Sequence, residues 1–155
     1  MSARKALALG AISGLRFASG PAFVARAAKA GDMDLGGTTL AFLGSPLLSK
    51  ALTMLQLGEM VGDKLPAVPS RTRLMPLLGR AASGGMVGAA AFFSDDRRAA
   101  TGILLGSSAA VAAAFAGEGV RALVGRGMGL PDPVIALAED TVVLLVGYRA
   151  SKHAR

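Results

Sequence analysis

Five apolar stretches of bilayer-crossing length divide this chain, and two of them carry an arginine near the middle. The first arginine opens the phrase Arg16-Phe17-Ala18-Ser19-Gly20-Pro21. The second, about 64 residues later, opens Arg80-Ala81-Ala82-Ser83-Gly84-Gly85. The match continues in order: Leu43-Gly44-Ser45-Pro46 answers to Leu105-Gly106-Ser107-Ser108, Gly58-Glu59 to Gly117-Glu118, and Leu65-Pro66 to Leu130-Pro131. A duplicated charge motif inside apolar sequence points to an all-α polytopic membrane helix bundle. We expect a single transmembrane domain over residues 1–155, built from two two-helix repeats (about 5–66 and about 74–131) and a terminal helix (about 133–149).

Composition supports lipid as the solvent. Of 155 residues, 52% are hydrophobic and 17% charged, against roughly 25% charged in average globular proteins. Helical stretches that are apolar all round require burial in a large core or in a bilayer. The net charge of +7 raises the question of nucleic acid, but Phe 6, Tyr 1 and Trp 0 leave little to stack on bases. The basic residues are scattered through connectors, which suits lipid headgroups; we expect a lipid bilayer as partner and no nucleic acid. Without cysteine there are no disulfides or thiolate ligands, and the lone His153 lies in the tail. We therefore expect no metal, no cofactor and no catalytic residues. Arg4-Lys5 and the apolar run from Ala6 to Leu15 have the outline of a signal peptide. Arg16 interrupts that run, so it reads as a retained first span.

The expected spans are 5–28, 39–60 (interrupted by Pro46 and Lys50), 74–94, 99–117 and 133–149, with 61–73 and 119–132 as connectors. Five crossings put Arg4, Lys5, Lys64, Arg71, Arg73, Arg121 and Arg126 on one side. Arg26, Lys29, Arg97, Arg98, Arg149, Lys152 and Arg155 fall on the other, leaving the positive-inside rule no bias. Each copy holds two spans, so the copies should run parallel. An inverted pair would need re-entrant hairpins at Ser19-Gly20-Pro21 and Ser83-Gly84-Gly85, and Leu74 to Gly79 rises only about 9 Å.

The candidate substrate- or ion-binding residues are Arg16, Ser19, Arg80, Ser83, Glu139 and Asp140. Two positive and two negative charges in mid-membrane should pair, and neighbouring helical residues point about 100° apart. One acid is therefore expected to meet Arg16 and the other Arg80. Ser19 and Ser83 follow their arginines by three residues and share their helical faces. A second polar cluster holds Glu59, Asp63 and Lys64, with Glu118 and Arg121 as its counterpart in the second copy. Glycine pairs at four-residue spacing (Gly10/Gly14, Gly58/Gly62, Gly84/Gly88, Gly102/Gly106) allow close helix approach and suit a homodimer. The leading reading is a small transporter or channel for an ion or small solute, not an enzyme. The alternative is a membrane scaffold whose buried charges only hold helices or subunits together. A lipid-directed enzyme would have only Glu59 and Asp63 to offer.

Gly14-Leu15-Arg16, Glu59-x-x-x-Asp63-Lys64-x-Pro66, Arg80, Asp132-Pro133 and Glu139-Asp140 together resemble the bacterial membrane family known as domain of unknown function 4126. The resemblance covers most of the chain. It implies an integral, multi-pass protein of the bacterial cytoplasmic membrane and no particular activity.

Overall fold

The computed structural model describes residues 1–62, 72–128 and 131–152, and every regular element among them is helical. The order is α1 (Ser2–Leu15), α2 (Ser19–Ala30), a short 3-10 turn (Ala41–Gly44), α3 (Pro46–Gly62), α4 (Leu74–Phe93), α5 (Ala99–Met128) and α6 (Asp132–Ser151).

The expected first span, 5–28, is two helices. Pro21 lacks an amide hydrogen, and its ring would strike the carbonyl four residues back, at Phe17, so a helix can start around it but not run through it. Arg16 turns extended (φ −138°, ψ 109°), and α2 begins at Ser19 with Pro21 in its first turn. The second helix then doubles back along the first. Gly20 packs on Ser13 and the Leu9 carbonyl, and Phe23 lies against Gly147 of α6. Proline also corrects the second span: Pro46 opens α3 instead of interrupting a helix from 39. The helix expected over 74–94 is α4 and is unbroken, and that expected over 133–149 is α6. The fourth runs past its expected end at 117 to Met128, through Glu118, Arg121 and most of the presumed connector.

α1, α4 and α5 form the centre of the bundle. Gly84 and Gly88 of α4 face Gly106 and Gly102 of α5 so closely that a Cβ on any of the four would overlap the opposing backbone. α1 joins them, with Gly10 on Gly106 and Gly14 on Ala110. Small residues are what permit such an approach. Of the four spaced glycine pairs, only Gly58/Gly62 on α3 meets nothing within 4 Å.

One end of the bundle gathers most of the charge. Ser2 Oγ donates to Asp95 Oδ2 at 2.7 Å, and Lys5 Nζ stands 3.9 Å from Asp95 Oδ1, tying the start of α1 to the α4–α5 turn. The last turn of α6 lies beside Arg4 and Lys5. The hairpin brings the end of α2 back to this same end. The two sequence copies thus fold differently: Arg16 sits in a break, whereas Arg80 sits inside a continuous helix.

Around an apolar core, several large hydrophobic side chains face outward and an arginine lies inside. Arg16 is wholly buried, while Leu47, Met75 and Leu123 are each at least 75% exposed. Against the five expected spans, one helix among the described residues, over Ala99–Gly125, is long and apolar enough to cross a membrane, and little of it is buried within the bundle.

Candidate functional site

Breaking a helix strands its terminal amides and carbonyls, and three side chains from other helices answer those between Gly14 and Ala18. The Glu59 carboxylate on α3 accepts the Phe17 amide at 2.7 Å and the Ala18 amide at 2.8 Å. An acid there also meets the positive end of the α2 dipole. Arg80 on α4 donates through Nη1 to the Gly14 carbonyl at 2.8 Å and the Leu15 carbonyl at 2.9 Å, where α1 presents its negative end. Ser83, one turn on, donates to the Phe17 carbonyl at 2.8 Å. Arg80 Nη2 stands 3.8 Å from Glu59 Oε1 and closes the circuit. The second copy of the Arg-x-x-Ser motif therefore mends the backbone that the first copy interrupts.

The extended backbone at Arg16 aims its own side chain elsewhere, toward α6. Its Nη2 lies 2.8 Å from Asp140 Oδ1 and 3.9 Å from Glu139 Oε2. Glu139 Oε2 in turn accepts from Arg121 Nη2 of α5 at 2.7 Å. This corrects the one-acid-per-arginine expectation. Glu139 and Asp140 both approach Arg16, Glu139 bridges to Arg121, and Arg80 takes Glu59 as its acid. The 100° between adjacent side chains does not prevent sharing, because a guanidinium presents several donors in a fork and fills the gap between two carboxylates. Among the described residues the network holds Arg16, Arg80 and Arg121 against Glu59, Glu139 and Asp140, a balance that buried charge requires.

Ser19, expected on the helical face of Arg16 as a candidate binding residue, opens α2 across the break and is fully buried; its hydroxyl has no hydrogen-bond partner among the described residues. Arg121 donates to Glu139, and Glu118, its neighbour in the expected second cluster, lies half-buried one turn earlier on α5. Asp63 and Lys64 lie outside the described residues. Arg121 was legible only as a neighbour of Glu118, and nothing in sequence spacing foretold its partner on another helix.

The far half of α5 and the start of α6 pack only lightly and leave a groove of about 490 Å³. Leu15, Val120, Val124, Ile135, Arg121 and Glu139 contribute to its wall, so the groove reaches the outer members of the charge network. Among the described residues no three His, Asp or Glu side chains converge to hold a metal.

No curated protein and no solved structure matches the chain. The model of one family matches residues 5–154. A chain matched over nearly its whole length, with the motif acids and arginines joined around one helix break, belongs to the family described as domain of unknown function 4126.

Proposed function

We propose that this is a multi-pass membrane protein in which the α1–α2 hairpin is a re-entrant element of a pathway for an ion or small solute. The observation that carries the reading is the break after Leu15, where Glu59, Arg80 and Ser83 receive the backbone groups exposed between Gly14 and Ala18. In hydrocarbon no water would do this, and non-helical backbone is tolerated there only where protein or a cavity receives it. The depth is consistent: Arg80 to Phe93 spans about 20 Å of helix from the charged end, and the hydrocarbon core of a bilayer is about 30 Å. Discontinuous helices whose ends meet charges are recurring elements of transport sites. The groove at Glu139 and Arg121 supplies a route toward Arg16.

The hairpin also supports an orientation. It returns Arg26 and Lys29 to the end that holds Arg4, Lys5, Arg97, Arg98, Arg149 and Lys152. Among the described residues the opposite half keeps Arg73, Arg121 and Arg126, so the balance counted for five simple crossings no longer applies. The charged end should face the cytoplasm. The chain lacks cysteine, so introduced ones report cleanly. Arg98→Cys should be labelled only after permeabilisation and Gly127→Cys from outside; the reverse pattern would refute this orientation.

For transport, the protein reconstituted in liposomes with a panel of ions should conduct, and Asp140→Asn should change that flux while leaving helix content intact. A scaffold role is favoured by one specific observation, the complete burial of Arg16 between acids whose side chains are only 10–11% exposed. Absence of flux across the panel, combined with a partner that co-purifies and is lost in Asp140→Asn, would select the scaffold.

A further inference from the structure

We propose that the pocket between the end of α2 and the start of α3 binds a phosphate-bearing anion, supplied by the headgroup of an anionic phospholipid. The cavity measures about 400 Å³, within the usual range for small-ligand sites. Its wall carries Arg26, Lys29 and Lys50 together with Ser49 and Thr53. Three cations converge on it, and among the described residues no carboxylate comes within 4 Å of any of them. Elsewhere in this bundle buried and half-buried arginines meet acids; here Arg26 meets only neutral groups. Its Nη1 donates to Thr53 Oγ1 at 3.1 Å and Gln56 Oε1 at 3.0 Å, and its guanidinium lies 4.4 Å from the Phe23 ring centre. These contacts hold the guanidinium in place and leave its charge uncompensated.

The surplus of donors extends inward. Gln56 is 2% exposed, one turn below Thr53, and its Nε2 has no acceptor among the described residues. Two acids follow α2: Asp32 comes within 4 Å of none of the three cations, and Asp34 is turned to its own loop, where Oδ1 accepts the Gly36 amide at 2.8 Å. Lys29 alone would be explained by the negative end of the α2 dipole. That explanation does not reach Lys50, which stands in the second turn of α3. A shared anion accounts for both lysines and for Arg26. The anion chemistry does not depend on the transport reading. The lipid source fits a pocket at the end of the bundle where headgroups would lie.

The test uses the full chain purified in detergent, compared with Lys29→Ala/Lys50→Ala. Both lysines are exposed, so the double variant should keep the fold. Native mass spectrometry after incubation with phosphatidylglycerol or phosphatidylcholine should find phosphatidylglycerol retained preferentially by the wild type. Each lysine near a headgroup contributes about fivefold, so the double variant should lose about 25-fold in that retention. Gln56→Glu, which places a carboxylate beside Arg26, should abolish the preference with both lysines intact. A parallel arm measures thermal unfolding in inorganic phosphate. Stabilisation by phosphate that needs Lys29 and Lys50, without lipid preference, would uphold the anion site and move its source to solution. Equal retention of both lipids by the wild type with no phosphate effect would overturn the proposal, as would identical behaviour of the wild type and the double variant.

Discussion

Arg16 and Arg80 begin the same four-residue phrase, Arg-x-x-Ser, and the fold uses them in opposite ways. After Arg16 the phrase is followed by Gly20-Pro21 and the helix stops; after Arg80 it is followed by Gly84-Gly85 and the helix continues. One arginine leaves its helix and seeks acids on α6. The other stays within its helix and binds the carbonyls that the first stretch exposes. The same four-residue phrase thus takes complementary roles in two stretches that differ, among other positions, in Pro21 against Gly85.

Arg80→Met tests that division of roles most severely. It removes the donor to Gly14 and Leu15 and leaves Glu59 without its arginine, and breaking a buried charge pair costs about 3–5 kcal/mol. Thermal unfolding in detergent should fall accordingly. A drop under about 1 kcal/mol would mean that the break needs no cap from α4. Arg16→Met should cost nearly as much alone, whereas Arg16→Met/Asp140→Leu should recover a large part, because exchanging both partners of a buried pair for apolar groups is often neutral. Failure of the double variant to recover would show that Arg16 has a role beyond its acids on α6. Glu59→Gln keeps one acceptor for the Phe17 and Ala18 amides but loses the charge, with an expected cost of about 1–3 kcal/mol. The serines separate the copies most finely. Ser83→Ala should cost about 1 kcal/mol through the lost bond to Phe17. Ser19→Ala should change stability by less than about 0.5 kcal/mol, since no partner is lost. Equal effects for the two serines would erase the asymmetry argued above.

Much of this was legible in the sequence, and the reasons are local. α4 and α6 have the length, the flanking polar turns and, for α6, the Asp132-Pro133 start that single helices need. The buried charges were legible too, because Arg16, Arg80, Glu139 and Asp140 stand out against apolar neighbours. The break was written in Ser19-Gly20-Pro21, but apolar length on both sides outweighed the proline. Pairing was the least legible part. Which acid meets which arginine depends on how helices rotate against one another, and that is set by the glycine contacts of α1, α4 and α5. The length of α5 was missed because Glu118 and Arg121 read as the polar end of a span. Arg121 is instead carried to Glu139 by the continuing helix.

The glycine contact between α4 and α5 has a mechanical consequence. With Gly84 and Gly88 pressed on Gly106 and Gly102, peptide groups of the two chains interlock and neither rod can slide along or roll over its neighbour without collision. Together with α1, whose Gly10 and Gly14 seat as closely on Gly106 and Ala110, these helices are the chassis of the molecule. Any large motion must be carried by the pieces hung on it: α2, the strut α3 and the loosely attached α6.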